Sequence, residues 1–243
     1  MYEDSIFPYR SKEKLEEIAE NHLKAYNSSL ISIPSEIDIN EFIEKYLGIE
    51  LKFLPISNDG SILGYMVFKP TQIIIYDDEF NKQYITITES SVIVNSELAD
   101  DYKNVGRFRF TCAHEAAHWI LHRDVFLQDL FKPVTSDSYD VFNAVCNDEA
   151  PQDNIANDKR MEWQANYLGA ALLMPKKTFI REFLNMLKVL DINNKKYLYR
   201  DSQPCNVYNY KCMINRLTKV FDVSKEAAKI RLIQLNLLKE DNV

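Results

Sequence analysis

Residues 108–122, FRFTCAHEAAHWILH, run without glycine or proline and place His114 and His118 four positions apart, with Glu115 beside the first. Phe110, Ala113, Ala117, Ile120 and Leu121 supply an apolar face, so the spacing predicts a buried helix. A four-residue step sets both imidazoles on one side of that helix, about 5 to 6 Å apart at Cβ. Two nitrogens so placed can reach one zinc ion at roughly 2.0 to 2.1 Å. Glu115 lies about 100° around the helix from His114, where it can flank the ion and take a proton from bound water without being a ligand itself. Two helix histidines satisfied by core hydrogen bonds or solvent are the plainer alternative. That alternative leaves the matching glutamate and the apolar setting unaccounted for.

A catalytic zinc needs a third protein ligand and one position left for water. Three residues are candidates. His122 stands a further turn along the same face, about 6 Å beyond His118 and too far to join the first two at a single ion; it reads better as an end-of-helix histidine near the carbonyl dipoles. Asp124 has the place of the last ligand in H-E-x-x-H-x-x-G-x-x-H, but Leu121 stands where the turn glycine belongs. Glu162 falls in MEWQANYLGAALLMP, a second apolar helix predicted over residues 160–174, where a buried carboxylate is unfavourable unless paired or metal-bound. Glu162 is the preferred third ligand. Asn166, one turn on, could hydrogen-bond a ligand or be an ordinary surface amide.

Composition removes several other classes. Only five glycines occur, with no GxGxxG or GxxxxGK[ST] loop, so nothing is available to cradle nucleotide phosphates. A net charge of -7 argues against a surface built mainly to hold phosphate backbones, while leaving room for a local basic patch. The four cysteines show no CxxC pairing and read as small buried hydrophobes in a reducing compartment. MYEDSIFPYR lacks the basic start and apolar run of an export signal, and no window approaches the roughly 18 apolar residues of a membrane span. The expectation is a cytoplasmic protein.

Along the chain, residues 11–26 predict an amphipathic helix, and Asp38 with Glu41 predicts a capping box for a helix at about 39–47, stopped by Gly48. Short runs at 49–56, 64–68, 72–76, 84–88 and 91–95, rich in Ile, Val, Phe, Tyr and Thr, predict a small, largely antiparallel sheet. Residues 124–160 turn acidic and rich in Asn and Asp, which suits an insertion or lid. Helices follow at 160–174 and 178–189, then a helical pair with a turn at 221–223 and Ser224 as N-cap. The fold class is α+β. The expected organisation is an N-terminal helix over 1–29, a metallopeptidase domain over 30–190 and a helical, helix-turn-helix-like region over 191–243.

GRFRFTCAHEAAHWILH followed by EWQANYLGAALLMP resembles the ImmA/IrrE family of metallopeptidases. IPSEIDINEFIEKYLGIEL resembles that family's entry helix and strand, SSVIVNSEL the strand leading into its zinc helix, and FDVSKEAAKIRLIQLNLL its tail. The departures are the long insertion and Ala117, where the family often has glycine. The resemblance implies a zincin-like endopeptidase with one Zn2+ held by His114, His118 and Glu162, and Glu115 as catalytic base. It also implies a protein substrate, a helix-turn-helix repressor of a phage or mobile element whose cleavage releases silenced genes. Arg107, Arg109 and Tyr167 lie near the motif, and none is assigned to the oxyanion. Two other readings compete: a DNA-binding regulator using the tail, with Lys225, Lys229 and Arg231 facing phosphate, and a zinc-bound sensor without turnover.

Overall fold

The computed structural model describes residues 7–128, 157–192 and 196–240. Ser11 caps helix α1 (Lys12–Tyr26) by accepting from the Lys14 amide at 3.3 Å, and Leu15, Ala19 and Leu23 form its buried face. Helix α2 starts at Ile39–Glu41 and widens into a π turn over Phe42–Leu47. Asp38 accepts from the Glu41 amide at 2.9 Å. The reciprocal half of the expected box is missing, because the Glu41 carboxylate is taken by the Tyr26 hydroxyl at 2.8 Å and Lys45 at 2.6 Å. Gly48 ends the element at φ 68°, a left-handed position that glycine adopts without Cβ strain.

Five strands follow where the β-rich runs predict them: β1 (Glu50–Leu54), β2 (Gly64–Val67), β3 (Thr71–Tyr76), β4 (Lys82–Ile87) and β5 (Ser91–Asn95). Their pairing corrects the expectation of one largely antiparallel sheet. β5 lies between β1 and β2, parallel to the first and antiparallel to the second, while β3 and β4 make a separate antiparallel hairpin. Every residue of β5 is buried, and a strand buried on both faces belongs in the centre of a sheet. Since β1 and β2 run in opposite directions, any strand inserted between them is parallel to one.

The remaining elements are α3 (Ser96–Asp100), α4 (Val105–Leu127), α5 (Asn157–Leu173), α6 (Lys176–Val189), β6 (Leu198–Arg200), α7 (Pro204–Phe221), α8 (Lys225–Gln234) and β7 (Leu238–Glu240). The parallel pair β6–β7 and the one-turn α3 are too short to leave a periodic signal. The proposed insertion over 124–160 lies mostly outside the described residues; its first residues extend α4 and its last ones begin α5. Helix α4 is sandwiched between the sheet and α5, and α1 covers α5. Gly169 permits the close α4–α5 approach, since a methyl there would stand 3.1 Å from the His114 amide nitrogen. One apolar core runs from Leu15 through the two central helices to Leu238.

The C-terminal pair forms as predicted, with Ser224 accepting from the Ala227 amide at 3.0 Å. Two of the three cations of the DNA-binding reading, Arg231 and Lys229, are engaged within the protein, while Lys225 is exposed. Arg231 is fully buried, gives two hydrogen bonds to the Met174 carbonyl at 2.9 and 3.1 Å, and pairs with Glu16 at 2.8 and 2.9 Å. Lys229 faces Glu240 at 3.5 Å. The reason is helical phase: Ala227, Ala228 and Arg231 share the side that packs on the core, so the guanidinium is carried inward and must find a carboxylate.

Candidate metal centre

Helix α4 sets the His114 and His118 rings 4.6 Å apart at their centroids, with Nε2 to Nε2 at 3.0 Å. Helix α5 brings Glu162 to the same point: its Oε2 lies 3.1 Å from Nε2 of His114 and its Oε1 3.3 Å from Nε2 of His118. Among the described residues, these three form the one His/Cys/Asp/Glu group able to hold a metal ion. Two ligand bonds of the usual zinc length at a tetrahedral angle span roughly 3.3 Å, so the spacing fits an ion of that size.

The hydrogen bonds outside the group support the same conclusion. Nδ1 of His114 lies 2.9 Å from Oδ1 of Asn166, an acceptor, so the ring donates from Nδ1 and Nε2 is the atom turned to Glu162. Nδ1 of His118 lies 3.2 Å from Nδ1 of His122. Two imidazole Nε2 atoms and a carboxylate facing one another at this range favour a positive charge among them, a proton or a metal ion. Accordingly, the His114 imidazole, although burial works against its charged form, is pushed up to about 9 by the hydrogen bond and charge of Glu162, with Glu115 adding to them. Burial alone would raise the Glu162 carboxyl, but the two histidines outweigh it and hold that carboxyl well below its ordinary range.

Glu115 is buried, outside the ligand group and against β2. Burial pushes its carboxyl up; His114 and His118 pull it down and Glu162 pushes it further up. A carboxylate with raised proton affinity beside a metal group is equipped to accept a proton.

The other sequence candidates lie elsewhere. The Asp124 side chain is 81% exposed and sits 3.6 Å from Arg123. Arg109 bonds to the Asp222 and Ile37 carbonyls at 2.8 Å each, and Tyr167 to Glu16 at 2.9 Å, so neither is directed at the metal group. Of the two readings of Asn166, the hydrogen bond to His114 is the one formed. His122 does not end its helix, which runs on to Leu127; it is fully buried, and burial followed by the charge of His118 holds its imidazole well below the ordinary value. Sequence reasoning measured its distance from the metal and overlooked that the same four-residue step joins it to His118. Gln164 and Gly64 were missed altogether.

A helix bearing two histidines and a buried carboxylate, completed by a glutamate from its neighbour, defines a candidate metallohydrolase site. Residues 92–233, more than half of the chain, match the peptidase M78 family's IrrE N-terminal-like domain. The chain belongs to the ImmA/IrrE family of metallopeptidases. A comparison with curated proteins finds no match. The matched span contains α4 and α5 and begins within β5, so α1 and the residues before it precede it.

Proposed function

We propose that this protein is a zincin-like, zinc-dependent endopeptidase, with His114, His118 and Glu162 as ligands and Glu115 as general base. The observation that carries this reading is the convergence of two imidazole Nε2 atoms 3.0 Å apart with the Glu162 carboxylate, whose oxygens lie 3.1 Å from one and 3.3 Å from the other, from two helices, beside a separate buried carboxylate. A bound zinc ion supplies Lewis-acid polarisation of the scissile carbonyl and lowers the pKa of the attacking water. His114 and His118 present their Nε2 lone pairs, fixed by bonds from Nδ1. Glu162 contributes the negative charge that balances the ion. Glu115 takes the water's proton on its carboxylate and returns it to the leaving nitrogen.

The substrate we propose is a helix-turn-helix repressor of a phage or mobile element, cleaved in the cytoplasm; family membership supports this choice. No described helix is long and apolar enough to cross a membrane. We assign the peptidase activity to residues 30–190, with the N-terminal helix and the C-terminal pair as packing additions. Burial of Arg231 weighs against a DNA-binding tail. Glu115 weighs against a sensor without turnover, since a structural zinc site prefers four closed protein ligands and has no use for a base.

Elemental analysis and a repressor-cleavage assay test this on wild type, Glu162→Ala and Glu115→Gln. The expected pattern is one zinc in wild type, metal lost in Glu162→Ala, and metal kept without cleavage in Glu115→Gln. Full zinc in Glu162→Ala would move the third ligand elsewhere, and equal cleavage by wild type and Glu115→Gln would end the peptidase reading.

A further inference from the structure

The site's two histidines are held from different sides, and the difference points to a role for the chain's N-terminal segment. His114 is held from within the matched span, by Asn166. His118 is held by a chain of contacts that ends at residues 7–10, ahead of α1. Arg10 donates from Nη1 to Oε1 of Gln164 at 3.1 Å and from Nη2 to the Leu121 carbonyl at 3.3 Å. Gln164 donates from Nε2 to the Pro8 carbonyl at 2.9 Å. A guanidinium can only donate and a carbonyl can only accept, so these two partners allow the Gln164 amide one orientation. Its Oε1 then faces Nε2 of His122 at 3.5 Å.

The consequence passes through His122. With an acceptor at Nε2, the ring carries its hydrogen there and keeps the lone pair on Nδ1. That lone pair, 3.2 Å from Nδ1 of His118, accepts the hydrogen on His118 Nδ1 and leaves the His118 Nε2 lone pair turned to Glu162. Phe7, itself fully buried, packs edge-on against the His122 ring at 5.2 Å, and Arg160 donates to the Phe7 carbonyl at 3.2 Å. Water is kept from the chain, because His122 and Gln164 are both fully buried.

We propose that residues 7–10 are an outer support of the metal centre, with Arg10, Gln164 and His122 as positioning residues that fix the tautomer and ring orientation of His118. This rests on the metal-ligand reading of His118. A role in packing alone would lower stability and leave metal affinity per folded molecule unchanged. A positioning role weakens metal binding, by about 10- to 100-fold for contacts of this kind.

The test is zinc affinity of the full chain, by competition with a chromophoric chelator, together with the absorption spectrum of the cobalt-loaded protein and the melting temperature of each variant. Arg10→Ala, Gln164→Leu and His122→Phe are expected to bind zinc at least tenfold more weakly, with a shifted cobalt spectrum. His122→Gln, which can still accept from His118 and donate to Gln164, is expected to recover most of the affinity. Arg10 is only partly buried, so its variant remains informative should His122→Phe not fold. Wild-type affinity in folded Arg10→Ala and Gln164→Leu would overturn the proposal, whatever their melting temperatures. A wild type that binds no zinc, like Glu162→Ala, would sink the metal reading and this proposal with it. A zinc-binding wild type with unaltered variants would sink only the positioning role.

Discussion

Gly64 of β2 lies against the carboxylate of Glu115: a methyl built on it would stand 3.1 Å from Glu115 Oε1 and 2.8 Å from Cγ2 of Thr111. The Glu115 carboxylate, the proposed base, is therefore seated on a strand backbone that only glycine leaves open. Gly64→Ala must displace the Thr111 methyl, the Glu115 carboxylate or both, and crowding of this kind destabilises by roughly 1–3 kcal/mol. We expect a lower kcat with zinc content unchanged, because no metal ligand is touched. Turnover on a peptide substrate, read beside elemental analysis, decides it; full activity would show that the seat of Glu115 does not matter to catalysis.

As a proposed ligand, His114 is expected to couple metal binding to pH. In metal-free protein its imidazole holds a proton up to about pH 9, and zinc can only bind the neutral ring. Binding at pH 7.5 is therefore expected to release about one proton, and affinity to rise about tenfold per pH unit until the ring is neutral on its own. Calorimetry in buffers of different ionisation enthalpy measures the proton directly. A heat of binding that does not vary with buffer would mean that His114 is already neutral.

Much of this site was legible in the sequence because it lies on two helices with a clear 3.6-residue period. That period put His114 and His118 on one face, and the unfavourable burial of a lone carboxylate singled out Glu162. What stayed hidden depends on contacts between distant segments. Arg10 and Gln164 are 154 positions apart, and Gly64 is recognisable only once β2 packs on α4. The parallel pairing of β1 with β5 was hidden for a related reason: local alternation identifies strands, while their order follows from which strand buries both faces. Arg231 faced phosphate only in the rival DNA-binding reading, which stayed open because a cation on a helix looks solvated until its face is known.

His122 makes the opposite contribution to pH dependence from His114. Its folded imidazole is held well below 6.5, whereas in the unfolded chain it titrates near the ordinary value. Above about pH 6.5 neither state carries the proton; below it, the unfolded chain takes up a proton that the folded protein refuses, so its stability contribution is lost as pH falls. Urea midpoints of metal-free protein between pH 5 and 8 are expected to fall on the acid side in wild type, and less steeply in His122→Gln. Identical slopes would remove His122 as the source.

The Glu16–Arg231 pair ties α1 to α8 across the carbonyl end of α5, with the arginine fully buried and the glutamate side chain 11% exposed. A buried pair stabilises little against an apolar replacement of the same shape, but breaking it strands a charge. Arg231→Met leaves Glu16 with the Tyr167 hydroxyl alone and is expected to cost about 3–5 kcal/mol, seen as a large drop in urea midpoint. Adding Glu16→Met removes the stranded charge, so the double variant is expected to regain a good part of that loss. Tyr167 and the Met174 carbonyl still lack their partners there, so full recovery is not expected. Equal destabilisation of the single and double variants would mean that the loss comes from the Met174 hydrogen bonds and not from the charge. Loss of duplex DNA binding by Arg231→Met, with stability unchanged, would restore the nucleic-acid reading of the tail that burial of this side chain opposes.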